Sequence, residues 1–199
     1  MNEVNKTLYI PLYGKALVSK KGIILQDSKA EELWEKEGFP LKKKSSSKWL
    51  AYYMGMRAAV FDHWLKKQMD LLKDGVVIHI GCGMDSRIER VKSRGHLWYD
   101  VDFPEVIKER RKYYKEDNSY HMLESDARVH EWLKSIPKDR DAIVVMEGVS
   151  MYFERPDLEA LMSALKQHFK RTVLLMDCYT EFAAGASKYK NPINEVGVT

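Results

Sequence analysis

The sequence predicts an α/β protein, a parallel sheet covered on both faces by helices. Three observations carry this. After Gly75, five short apolar runs are separated by helical patterns. The first run, Val76 to Ile80, breaks abruptly into Gly81-Cys82-Gly83 and a further helical stretch, as a buried strand does when it hands over to a helix N-terminus. Pro104 and Pro156 each stand where a helix would open, a first-turn position that suits proline.

In chain order, residues before about 27 read as an irregular arm containing Tyr9, Tyr13, Gly14 and Lys15. Ser28 and Glu31 form a capping-box pattern that starts a helix, and Gly38 and Pro40 stop it. Lys42 to Lys48 is basic and low in complexity, either a solvated mobile loop or a lid that draws in an anionic substrate. From Trp49 to about Leu72 the pattern is helical, and its stripe of Trp49, Tyr52, Tyr53, Met56, Val60, Phe61, Trp64 and Leu65 reads as core packing. The expected strands are Val76–Ile80, Leu97–Asp102, about Tyr120–Glu124, Ala142–Met146 and Thr172–Met176. Helices are expected from Pro104, with Tyr113 and Tyr114 among the apolar marks, around Trp132 and Leu133, and from Pro156. The tail after Tyr179 has no clear period.

At 199 residues the chain suits one integrated domain with a sizeable core, residues 1–74 a helical arm and lid and residues 75–199 the binding core. No apolar run reaches membrane length and the first residues are polar, so neither a spanning helix nor a signal peptide is expected. Two distant cysteines, Cys82 and Cys178, make no disulfide framework, and a reducing cytoplasm is the expected compartment. A net charge of +4 with both signs mixed points away from nucleic acid. No histidine spacing suggests a metal.

Ligands bind sheets of this kind at the carboxyl ends of the strands, beside the switch point. Gly81 and Gly83 let the backbone turn sharply and lie close to a ligand. Ser86 stands where a dinucleotide fingerprint needs a third Gly or Ala, which favours a smaller adenosyl ligand over a pyrophosphate. Asp100 and Asp102 end the second strand on one face, and an acid here can accept both hydroxyls of a ribose, or merely sit on the surface or cap the helix at Pro104. Asp126 follows the third strand and can meet an adenine amino group or cap the helix that follows. Glu147 ends the fourth and can face an ammonium or sulfonium group. His79, inside the first strand, reads as a histidine satisfied by a neighbour, with proton transfer as the alternative. Cys82 reads as a small loop residue.

With these residues in view, the chain resembles the leucine carboxyl methyltransferase family, in the branch similar to polyketide-synthesis O-methyltransferases. The resemblance rests on Gly81-Cys82-Gly83-Met84-Asp85-Ser86-Arg87, on Trp98 to Ile107 and on Met146-Glu147-Gly148-Val149-Ser150-Met151-Tyr152. It implies a class I methyltransferase fold and S-adenosylmethionine as cofactor. It implies that Arg57 binds the donor carboxylate, that Gly81, Cys82 and Gly83 form its loop, that Asp102 holds the ribose, that Asp126 and Ala127 flank the adenine, and that Glu147 contacts the methionine part. The family's Asp-Leu-Arg-Asp reads Asp126-Ala127-Arg128-Val129 here. Its sheet has seven strands, and only five are placed in this sequence, which therefore reads as lacking the last two.

The expected activity is methyl transfer to an oxygen, most simply a carboxylate of a small molecule or peptide, which is already nucleophilic at neutral pH and needs no catalytic base. The alternatives are a truncated or non-catalytic binder of the donor and an NAD-dependent oxidoreductase. The apolar fifth strand is expected at a sheet edge, open to self-association or covered by the tail from Glu181.

Overall fold

The computed structural model describes residues 8–37 and 46–180. Most of the basic segment Lys42–Lys48 and the tail from Glu181 lie outside them, so the expected lid and edge cover do too. The described residues fall into two compact units. One draws on the chain up to Asp62 and on Met84–Arg90; the other on His63–Gly83 and Val91–Cys178.

In the first unit, Tyr9–Lys20 forms α1, Ser28–Glu37 forms α2, and α3 begins at Lys48 and runs to Leu71. The irregular arm expected before residue 27 is therefore largely a helix. Pro11 sits in the first turn of α1, where its missing N–H costs nothing. Gly14 serves close packing: a Cβ there would lie 2.7 Å from the Met54 Cβ. Gly55 does the same, since its Cβ would lie 2.7 Å from a Val18 methyl. The cap of α2 is also one residue earlier than expected. Asp27 Oδ1, not Ser28, accepts the Ala30 N–H at 2.9 Å. Glu31 instead accepts a hydrogen bond from the Ser19 hydroxyl.

Helix α3 corrects a second expectation. Phe61 and Leu65 are buried, but Trp49 is 72% exposed and Val60 64%, with Tyr53 and Met56 about half exposed. The aromatic stripe is split between two opposite faces. In the first half of α3 the buried face is made by small residues, Ala51, Gly55 and Ala58, whose modest size hides it in a reading weighted towards large side chains.

The second unit carries a five-stranded parallel sheet in the order β3-β2-β1-β4-β5. Its strands are β1 Val76–Ile80, β2 Leu97–Asp102, β3 Tyr120–Glu124, β4 Asp141–Met146 and β5 Arg171–Met176. Short α4, Arg87–Val91, belongs to the first unit except for its last residue. In the second, α5 spans Pro104–Arg110 and α6 spans Arg155–His168, with 3-10 turns at His130–Ser135 and Ser150–Tyr152. The helix from Pro104 stops before Tyr113 and Tyr114. Among the described strands β5 is an edge, and the sheet reverses its order between β1 and β4, the place where such folds hold ligands.

The two sheet faces differ in chemistry. Val76, Ile78 and Ile80 of β1, Tyr99 and Val101 of β2, and Ala142, Val144 and Met146 of β4 build an apolar core with Trp132, Leu161, Leu165 and Phe169. The alternate residues include Trp98, Asp100 and His79, and that side holds a buried polar network. No described helix is long and apolar enough to cross a membrane.

Candidate functional site

Four strand ends in the second unit carry the residues singled out by the sequence other than Arg57, which lies in the first. Gly81 follows β1 with φ +66°, and Gly83 has φ +50°. A side chain at Gly81 has no room: its Cβ would lie 2.2 Å from a Val149 methyl. Gly81→Ala combines left-handed strain with that overlap and is expected to destabilise the protein by about 2 kcal/mol or more. Thermal melting checks this; an unchanged midpoint would contradict it. The start of the loop is held by a backbone bond from the Gly81 N–H to the Val101 carbonyl at 2.8 Å, and the ends of β2 and β3 are joined by one from the Ser125 N–H to the Asp102 carbonyl at 2.9 Å.

Asp102 stands at the mouth of this arrangement, half-buried. Its Oδ2 accepts the Gly83 N–H at 2.8 Å, and its Oδ1 accepts the Phe103 N–H at 2.8 Å. Burial pushes its carboxyl up to about 6, against the pull of those two N–H groups and of Arg110. The strand-two acid is thus tied to the glycine loop and keeps lone pairs for further donors.

Asp100, the other acid at this strand end, has a different setting from Asp102. It is fully buried, on the same strand face but one step deeper. Its Oδ1 accepts the Trp98 indole N–H at 2.8 Å, and its Oδ2 accepts the Tyr120 hydroxyl at 2.6 Å and Arg110 Nε at 2.9 Å. The parallel register places His79 beside it, with Nδ1 at 3.5 Å from Oδ1. Burial alone would raise the Asp100 carboxyl, but the Arg110 guanidinium, with His79 and Tyr120, holds it down at about 2. The histidine expected to be satisfied by a neighbour lies inside this network.

After β3, Asp126 accepts the Arg128 backbone N–H at 3.0 Å and the Arg128 guanidinium at 2.5–2.9 Å. Hydrogen bonds from Arg128 lower its carboxyl from the ordinary value. Ala127 is partly buried against the apolar core. Glu147 is buried at the end of β4, and Cys82 is a buried thiol in the loop. The turn after β4 is fixed by Asp177, which accepts the Gly148 N–H at 2.7 Å on its carboxylate and the Ser150 hydroxyl on its carbonyl. Sequence reasoning missed Asp177, although it too is an acid just past a strand. Arg110 was missed as well, because an arginine ending a helix usually faces water.

Arg57 lies on α3 in the first unit, its guanidinium 5.9 Å from the Tyr53 ring centroid. The same unit contains a buried ionic cluster that no sequence pattern announces. Asp62 pairs with Arg87 at 2.8 Å and with Arg90 at 2.6 Å. Asp85 pairs with Lys15 at 3.0 Å and with Arg90 at 2.7 Å, and Asp27 with Arg90 at 2.7 Å. Ser86 donates to Asp27 at 2.6 Å. The residue that breaks the dinucleotide fingerprint is therefore a fully buried member of this cluster. Burial opposes the charge on Arg90, but Asp85, Asp62 and Asp27 together hold it firmly protonated.

The leucine carboxyl methyltransferase family matches residues 3–166. The tetracenomycin polyketide synthesis O-methyltransferase TcmP of Streptomyces glaucescens is 28% identical over 98% of this chain and 73% of its own length. The S-adenosyl-L-methionine-dependent methyltransferase dpfgK of Gibberella zeae is 31% identical over 64% of this chain, which spans 46% of that protein. Among solved structures, the mitomycin 7-O-methyltransferase MmcR aligns with a TM-score of 0.49 at 16% identity, over 86% of this chain and 47% of that one.

Proposed function

Because the chain belongs to the leucine carboxyl methyltransferase family, we propose that it transfers a methyl group to an oxygen of a small-molecule or peptide carboxylate. S-adenosylmethionine is the cofactor. The observation that supports this reading best is the Asp102 carboxylate bonded to the Gly83 N–H, beside a loop that excludes a side chain at Gly81. Such a site fits an adenosyl ligand: a carboxylate for ribose hydroxyls and bare backbone for close approach.

When bound, the cofactor supplies an electrophilic methyl group on a sulfonium centre. The chain's own residues bind and orient. Asp102 accepts the ribose hydroxyls, Gly81, Cys82 and Gly83 form the loop, Asp126 and Ala127 flank the adenine, and Glu147 faces the methionine part. Arg57 offers a planar fork for the donor carboxylate. An acceptor carboxylate is already ionised near neutral pH, so the bound cofactor would supply the methyl electrophile and the chain would only have to hold the two together. No proton has to move. His79, the candidate base for a hydroxyl acceptor, is buried in β1 beside Asp100, which favours an acceptor that arrives already ionised.

Calorimetry with S-adenosylhomocysteine and with NAD tests the donor, and binding of the first alone is expected. Transfer from methyl-labelled S-adenosylmethionine to panels of carboxylic acids and phenols tests the acceptor. Label released as methanol by mild alkali marks a methyl ester; alkali-stable label marks an ether and would overturn the carboxylate assignment. A protein that binds the donor and methylates neither panel would be a non-catalytic binder.

A further inference from the structure

We infer that Arg110 is a positioning residue for the cofactor loop. It acts by gripping the Gly83 carbonyl from inside the protein. This rests on the reading of the glycine loop as the donor site and goes beyond the ligand-facing residues named for it.

The geometry is that of a rigid bracket. Arg110 Nη1 donates to the Gly83 carbonyl at 3.0 Å. The same guanidinium is anchored on Asp100, Nε at 2.9 Å and Nη2 at 2.6 Å from Oδ2, with both side chains fully buried. It also lies over the Tyr114 ring at 4.1 Å from the centroid. Asp100 in turn is fixed by the Trp98 indole and the Tyr120 hydroxyl. The fork therefore cannot swing, and the carbonyl it holds cannot rotate without stranding a buried donor.

Gly83 is gripped on both sides. Its N–H is held by Asp102 at 2.8 Å and its carbonyl by Arg110. The peptide group is planar and trans, so a fixed carbonyl also fixes the direction of the next N–H, that of Met84. A glycine with positive φ has the softest backbone in the loop, and these two bonds remove that softness. Asp102 meets the ligand directly, whereas Arg110 reaches it only through the peptide. A loop that is already shaped spends less binding free energy on ordering itself.

Arg110→Lys keeps the charge and loses the fork. It is expected to raise the Kd for S-adenosylhomocysteine at least tenfold. Asp100→Asn, which loosens the anchor, is expected to raise it threefold to tenfold. Leu165→Ala is the control for lost stability, since it empties core space at α6. It should lower the melting temperature and leave the Kd within twofold. If Arg110→Lys binds within twofold of wild type, or if Leu165→Ala weakens binding as much as Arg110→Lys does, the inference falls. Should neither network variant fold, the wild type carries the test by NMR. The hydrogen-bond coupling between Arg110 Nη and the Gly83 carbonyl should be present at the same strength with and without S-adenosylhomocysteine, and a coupling that is missing from the ligand-free protein would overturn the assignment. Wild-type protein that does not bind S-adenosylhomocysteine would remove the donor-site reading, and this inference with it.

Discussion

Asp62→Ala is expected to destabilise the protein by about 3–5 kcal/mol, the scale for breaking a buried ion pair from one side. Asp62 bridges Arg87 and Arg90, with all three side chains nearly or completely buried. Its removal leaves two guanidinium groups in low dielectric with fewer counter-charges. Neither arginine escapes by losing its proton, because the guanidinium stays charged under all ordinary conditions. Asp62→Asn keeps the volume but not the charge, and most of the loss should remain. Whole domains are stable by only about 5–15 kcal/mol, so either variant would be marginal. Urea unfolding measures the effect directly. By contrast, the exposed pair of Arg155 and Glu159 on α6, also an ion pair at 2.7 Å, should be removable with little change. A loss at Asp62 as small as that at Glu159 would show that the cluster is not a structural centre.

Asp102→Ala is expected to weaken S-adenosylhomocysteine binding by about 1–3 kcal/mol, or roughly fivefold to over a hundredfold, because buried hydroxyl donors lose their acceptor. A pH dependence should accompany it. Burial pushes the Asp102 carboxyl up to about 6 from an ordinary 3.8. Ribose hydroxyls need the ionised form, so protons compete with the ligand. Affinity should be flat above about pH 7 and fall about tenfold by pH 5, with proton release on binding near pH 6. The ligand-free protein has the opposite trend from this residue. A raised folded-state value stabilises the fold below about pH 4, and that contribution is lost as pH rises through about 6. The thermal shift produced by ligand should therefore grow from pH 5 to pH 7 in the wild type and stay level in Asp102→Ala. Equal pH profiles for the two proteins would sink the ribose assignment.

The strands were legible because buried parallel strands are short, apolar and sharply bounded. β1, β2 and β3 fall where the sequence places them, and β4 and β5 each begin one residue earlier, at Asp141 and Arg171. Helix α1 was hidden by Pro11 and Gly14, residues that break helices except in a first turn or at a close crossing. Period-two alternation correctly put Asp100 and Asp102 on one face, but a period carries no depth. Two residues along a strand is roughly 6.6 Å, enough to separate a carboxylate at the mouth from one sealed in the interior. The ionic cluster was beyond reach for another reason. Lys15, Asp27, Asp62, Asp85, Arg87 and Arg90 are spread over most of the first half of the chain, and their complementarity exists only after the chain has folded. Ser86 gave one hint, since the residue that argued against a dinucleotide is also the one that donates to Asp27.

The strand order has a consequence for how the second unit forms. β1, at the centre, takes its first neighbour β2 from the next strand in sequence, and β2 takes β3 in the same way. The other flank differs, because β4 can pair with β1 only by closing a loop that encloses β2, α5 and β3. Loop-closure entropy delays such a contact, and non-local pairings of this kind slow folding. The half-sheet β1-β2-β3 contains both ends of the Asp100–Arg110 pair and of the Asp102–Gly83 bond. As the chain emerges from synthesis, that half can take shape first, with the glycine loop and Asp102 already joined before β4 and β5 are added. Late, slow docking of β4 is then the step in which the apolar face of β1 stays wet longest, and the step most exposed to misfolding.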